Sequence, residues 1–252
     1  MDQKLVATSL SYSRNGKRLI EDISLEFRAG VLHGILGPNG SGKSTLLKTM
    51  SGIWTPTLGK VFWNGDPLLS QPRQRISRTI SLVPQCPSPS FNFLVEEIVA
   101  MGRYSHDNRY WNAVKEHLVY QALSSVDAWH LRGRYVNQLS QGELQRVYIA
   151  RALITESPIL LLDEPTASLD IQHQLEIWQL LQKFVKNGKI VIVTTHDLAI
   201  AERFCERIAV LNHGKCIGSG DTSTLLTTTL LQEIFGVVES RNPGFKSYSL
   251  YQ

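Results

Sequence analysis

Short apolar runs alternate with amphipathic stretches along most of this chain. Ile159–Leu162 and Ile190–Val193 are apolar at every position, and Val31–Leu36 nearly so. Continuous hydrophobicity over so few residues predicts strands buried on both faces of a parallel sheet. Ile171–Lys186 instead carries its apolar residues at helical spacing and is stopped by Asn187-Gly188. Further helices are predicted over Leu46–Ile53, around Glu96–Met101, over Tyr110–Leu123 and over Leu144–Leu153, with a short one around Leu225–Phe235. Near the N-terminus, two strand-like runs within Leu5–Phe27 flank Asn15-Gly16, a strong hairpin signal. Strand and helix in alternation predict an α/β fold.

Composition narrows the class. With 42% hydrophobic and 19% charged residues in 252, the chain has material for a real core. Disorder, collagen-like and coiled-coil classes are excluded. No apolar run approaches the ~20 residues of a membrane helix. Met1–Lys4 carries no basic stretch leading into an apolar one, so no secretory signal is expected. The expectation is a cytosolic chain that reaches a membrane only through a partner. Cys86, Cys205 and Cys216 are scattered and odd in number, which favours free thiols in a reducing compartment. A net charge of +4, spread rather than blocked, falls short of a nucleic-acid footprint, and no nucleic-acid partner is expected.

The chemistry lies where three of the predicted strands end. Val31–Leu36 runs into Gly37-Pro38-Asn39-Gly40-Ser41-Gly42-Lys43-Ser44-Thr45, a complete phosphate-loop motif between a strand and a helix. Its glycines let backbone N–H groups turn inward, and the helix that follows adds its positive end. Lys43 supplies a charge for the β- and γ-phosphates, and Ser44 a hydroxyl for Mg²⁺. Ile159–Leu162 ends in Asp163-Glu164: Asp163 is the candidate Mg²⁺ holder and Glu164 the candidate general base. Ile190–Val193 ends in Thr194-Thr195-His196. Ligands of open α/β sheets bind at the carboxyl ends of strands, so Lys43, Asp163-Glu164 and His196 are expected to converge. Farther on, Ser140 followed three residues later by Glu143 reads as a capping box that builds a helix N-terminus suited to an anion.

Leu139-Ser140-Gln141-Gly142-Glu143 resembles the signature of ATP-binding cassette (ABC) proteins, with Gln141 where a glycine is common and Glu143 where a glutamine is common. The rest of the family pattern falls in order. Gln85 stands at the Q-loop, Ser168-Leu169-Asp170 at the D-loop, His196 at the H-loop, and Tyr12 where an aromatic stacks on adenine. The resemblance implies a P-loop ATPase core with an N-terminal antiparallel β-subdomain and an inserted α-helical subdomain. It implies one nucleotide-binding domain over 1–252: catalytic and β-subdomains in 1–90 and 155–220, the helical signature subdomain in 91–154, and a tail in 221–252. It also implies ATP and Mg²⁺ as ligands, with Ser44, Gln85 and Asp163 toward the metal. Two copies would pack head to tail, with ATP between the phosphate loop of one and Ser140 and Gly142 of the other. Asp170 would be among the nucleotide-binding residues, and His196 and Gln85 would face the γ-phosphate.

A narrower likeness concerns Met101-Gly102-Arg103-Tyr104-Ser105-His106, similar to a Gly-Arg-Tyr-Pro-His segment of importers for iron–siderophores, haem and vitamin B12. Leu169–Leu175 and Phe235-Gly236-Val237 are similar to the same group. This implies the peripheral ATPase subunit of a bacterial importer, on the cytoplasmic face of the membrane. Its partners would be a transmembrane permease and, indirectly, an extracytoplasmic binding protein. Phe91, Phe93 and the segment up to Tyr110 would form part of the docking surface, or else pack inside the helical subdomain. The rivals are a soluble ABC ATPase of iron–sulfur cluster assembly and an ABC ATPase for another substrate. Two-cassette translation factors and coiled-coil repair ATPases do not fit a chain with one phosphate loop and no heptads between residues 50 and 138.

Overall fold

The computed structural model describes residues 3–85, 92–106, 111–167, 169–242 and 245–250. The chain opens with the hairpin expected at Asn15-Gly16: β1 (Lys4–Arg14) pairs antiparallel with β2 (Lys17–Arg28). Both turn residues have positive φ (50° and 73°), which Asn and Gly tolerate and which matches the twist of the strands. β3 (Leu32–Leu36) leads into α1 (Lys43–Met50). That helix ends before the expected Ile53, because Gly52 turns the chain with φ 73°. β4 (Leu58–Trp63) and β5 (Asp66–Pro67) complete a four-stranded antiparallel sheet in the order β2-β1-β4-β5.

A second sheet carries the three strands read from the apolar runs. α2 (Arg73–Thr79) precedes β6 (Ile80–Val83), and among the described residues three α-helices follow: α3 (Val95–Ala100), α4 (Trp111–Ser124) and α5 (Gln141–Leu153). Then come β7 (Ile159–Asp163), α6 (Ile171–Lys186), β8 (Ile190–Thr195), α7 (Leu198–Phe204), β9 (Arg207–Asn212) and β10 (Lys215–Asp221). The sheet order is β10-β9-β3-β8-β7-β6, parallel except for β10 on its edge.

The packing explains the unbroken runs. Leu160, Leu162, Val191 and Val193 face one core, shared with α3–α7. Ile159, Leu161, Ile190 and Ile192 face another, shared with Leu46, Leu47 and Met50 of α1 and with the antiparallel sheet. A strand covered on both faces has no polar side to show. Helix α6 buries Ile177, Trp178, Leu180, Leu181, Phe184 and Val185 along one stripe, with Lys183 and Lys186 at its C-terminal end.

The tail departs from the single short helix expected there. Thr222–Leu225 and Thr228–Leu230 are separate short helices, and Leu231–Phe235 winds as a π-helical turn ended by Gly236. An unexpected hairpin of β11 (Val237–Asn242) and β12 (Phe245–Leu250) follows. Phe93 is half-buried against the helical core, while Phe91, Tyr110, Cys86 and Ser168 lie outside the described residues. Cys205 and Cys216 are free thiols whose pKa values burial pushes up.

Candidate functional site

β3, β8 and β7 are neighbours, so the three loops at their carboxyl ends meet. The phosphate loop, residues 37–45, opens at Gly37. A Cβ there would come within 2.2 Å of the Leu211 carbonyl and 2.6 Å of Ser41 Oγ, so no other residue fits. Asn39 and Gly40 are exposed at the turn, while Pro38, Gly42, Ser44 and Thr45 are half-buried. Ser41 is buried, and its hydroxyl has no hydrogen-bond partner among the described residues. Lys43, 5% exposed, folds back over the loop. Its ammonium donates to the carbonyls of Gly37 (2.8 Å) and Pro38 (3.1 Å) and lies 3.2 Å from Glu164 Oε1.

The acidic pair splits into two environments. Asp163, the last residue of β7, is buried, and its Oδ1 accepts from Ser44 Oγ at 3.0 Å and from Thr194 Oγ1 at 2.8 Å. Strand register makes this possible, because Asp163 and Thr194 pair across β7 and β8. Thr194 Oγ1 also accepts from the Glu164 N–H at 2.8 Å. Glu164 has φ 44°, unusual for a residue with a side chain, and that bond helps hold it there. Its carboxylate points at the phosphate loop. Oε1 meets Lys43, while Oε2 accepts from Gln85 Nε2 at 3.1 Å and lies 3.3 Å from His196 Nδ1. Lys43, Gln85, Glu164 and His196, far apart in sequence, therefore share one carboxylate.

Three other expected features stand apart. Tyr12 on β1 is stacked on Trp54, with ring centroids 5.0 Å apart and planes within 13°. Lys48 Nζ lies 4.9 Å from the Trp54 ring centroid. At the start of α5, Ser140 is the N-cap and forms the expected capping box with Glu143. Asp170 caps α6 by accepting from the His173 N–H at 2.9 Å, and both its carboxylate oxygens lie 2.8 Å from His173 Nδ1. The bond from the His173 backbone, then that from its ring, holds the Asp170 carboxyl below its ordinary value. The His173 ring packs on Gly142, where a Cβ would meet it at 3.2 Å. Among the described residues, no hydrogen bond or ion pair joins residues 140–143 to residues 37–45.

Sequence reasoning did not single out Thr194, Trp54, His173 or Arg134. Thr194 left a trace as a polar residue closing an apolar run, and His173 as one member of the Leu169–Leu175 segment.

The ABC transporter family model matches residues 20–167, a stretch that includes Lys43, Gln85, Ser140, Asp163 and Glu164 and leaves Tyr12, Asp170 and His196 outside. The hemin import ATP-binding protein HmuV of Pseudomonas putida is 38% identical over 238 residues, 92% of each chain. The cobalamin import ATP-binding protein BtuD of Halobacterium salinarum is 38% identical over 232 residues, and the chain spans 58% of that longer protein. Among solved structures, a dimeric ATP-binding cassette in a post-hydrolysis state with ADP and Pi matches at a TM-score of 0.76 and 28% identity. That match covers 86% of this chain and 98% of the other.

Proposed function

The chain belongs to the ABC transporter family of ATPases, and on that premise we propose that it is the ATP-hydrolysing subunit of an importer for a metal chelate. Haem, cobalamin and iron–siderophores are the class, on the strength of the hemin and cobalamin relatives and of Met101–His106. The observation that carries the reading is the Glu164 carboxylate, shared by Lys43, Gln85 and His196 beside a phosphate loop.

The geometry supports a sequence of roles. The triphosphate lies along the N–H groups of residues 37–45, with Lys43 turned to its β- and γ-phosphates. Ser41 Oγ, buried and unpartnered, is a further donor for it. Ser44 and Asp163 present hard oxygens 3.0 Å apart, which fit Mg²⁺. The ion would neutralise charge on the β- and γ-oxygens when bound. Glu164 takes a proton from a water as that water bonds to the γ-phosphorus and the bond to the β-bridging oxygen breaks, releasing ADP and phosphate. His196 and Gln85 hold that water in line. Tyr12, backed by Trp54, carries the adenine.

Ser140 and Gly142 complete the site of a second copy, and Asp170 lies at the same contact. Closure of the two-fold dimer is then the force-generating step. Residues 91–154 act as the helical subdomain that carries closure to a transmembrane permease, which in turn receives chelate from an extracytoplasmic binding protein. The chain's own place would be peripheral, on the cytoplasmic face of the membrane; among the described residues, no helix is long and apolar enough to cross one.

The test is a pull-down of tagged Glu164→Gln protein from membranes of its own cell, solubilised with ATP present. A multi-spanning membrane protein in equal ratio is the expected companion. A soluble scaffold without one sinks the importer reading in favour of cluster assembly. Tyr12→Ala is expected to weaken ATP and GTP alike, by about 1–3 kcal/mol, because stacking is indifferent to the base. Titration with both nucleotides checks this, and unchanged ATP binding would place the adenine elsewhere.

A further inference from the structure

Helix α5 opens with its serine already engaged. Ser140 Oγ donates to Glu143 Oε2 at 2.9 Å, and the Ser140 N–H donates to the same oxygen at 2.8 Å. The other oxygen, Oε1, accepts from Arg134 Nη1 at 3.2 Å. Arg134 Nη2 donates to the Gln138 carbonyl at 2.7 Å. The Arg134 backbone is anchored as well: its carbonyl accepts from the Val95 N–H and its N–H donates to Leu131. A fixed guanidinium thus clamps the start of the helix.

Glu143 is a poor neighbour for a phosphate. Its carboxylate takes the only proton of the Ser140 hydroxyl and sets a negative charge where the helix end favours an anion. Burial works against its ionisation, but the bonds from Ser140 and the charge of Arg134 outweigh burial and hold the carboxyl below its ordinary value. Among the described residues, Arg134 is the cation paired with it. A guanidinium stays charged at any working pH.

We propose that Arg134 is a positioning residue for nucleotide-driven closure: it balances the charge of Glu143, so that Ser140 can turn its hydroxyl to the triphosphate held by a second copy. This rests on the reading that ATP bridges two copies. Arg134 acts through Glu143 and touches no reacting atom.

A charge-rescue experiment in the Glu164→Gln background tests it, with ATP-dependent dimerisation followed by light scattering. Arg134→Ala is expected to raise the ATP concentration for half-dimerisation roughly tenfold, since an unpaired charge at a closing interface repels its like. Adding Glu143→Gln to Arg134→Ala should restore dimerisation to within about twofold, because the charge that needed balancing is gone. Arg134→Lys, which keeps the charge and loses the fork, should stay within about threefold. ATP affinity of the isolated copy should be the same throughout. Normal dimerisation of Arg134→Ala overturns the proposal. So does a double variant as impaired as Arg134→Ala, since the clamp on the Gln138 carbonyl would then be the whole role. If the Glu164→Gln reference itself fails to dimerise with ATP, the two-copy reading falls and takes the proposal with it.

Discussion

Glu164→Gln is expected to bind ATP, hold it in a closed dimer and turn it over about a hundred to ten thousand times more slowly. The change is nearly isosteric, and glutamine tolerates the φ of 44° as well as glutamate does, so the backbone at the end of β7 has no reason to move. A carbonyl oxygen can still accept from Lys43, and rotation of the amide lets it serve Gln85 or His196 instead. What is lost is a group able to take a proton from water. Single-turnover phosphate release, measured beside ATP-dependent dimerisation, separates chemistry from binding. Turnover at the unsubstituted rate would remove Glu164 from the role of base.

Lys43→Ala should lose two orders of magnitude or more in ATP affinity, equivalent to roughly 2.7 kcal/mol. A second effect comes from the protein itself. Lys43 and Glu164 are 5% and 9% exposed, and the ammonium also serves the Gly37 and Pro38 carbonyls. Removing one partner of a buried ion pair costs about 3–5 kcal/mol when the remaining charge is left alone. Glu164 keeps Gln85 and His196, so the lower end is expected. For a chain of this size that lowers Tm by roughly 6–12 °C. Calorimetry with and without ATP reads both effects. Unchanged affinity would deny Lys43 the phosphates, and an unchanged Tm would mean that the contact with Glu164 contributes nothing net.

Much of this was legible in the sequence where local chemistry and the final fold agree. The hairpin at Asn15-Gly16, the capping box of Ser140 and Glu143, and the stop at Asn187-Gly188 are short-range devices. The convergence of Lys43, Glu164 and His196 followed from a general property of parallel sheets. What escaped notice has little signal of its own. β10, Lys-Cys-Ile-Gly-Ser-Gly-Asp, is rich in glycine and gains its structure by pairing with β9 across His213-Gly214. That turn has the φ values of an Asn-Gly turn, 44° and 78°, behind a residue that does not advertise them. α2 is mostly polar and basic, without an apolar stripe to count. The partnerships of Tyr12 with Trp54 and of Arg134 with Glu143 depend on how distant segments come to rest. Ser168, at the D-loop position, lies outside the described residues.

The strand order of the larger sheet bears on how the chain is made. β3 carries the phosphate loop and leaves a ribosome long before its sheet neighbours, β8 and β9. Ser44 likewise waits for Asp163, 119 residues downstream. During synthesis β3 therefore has no partner strand, and an apolar strand without one is an invitation to aggregate. The site closes only when the last parallel strands arrive. From then on nucleotide works as a folding ligand for the whole chain, adding about 2.7 kcal/mol when present at a hundred times its Kd. A cell rich in ATP would thus stabilise each new copy with the same molecule that is proposed as its substrate.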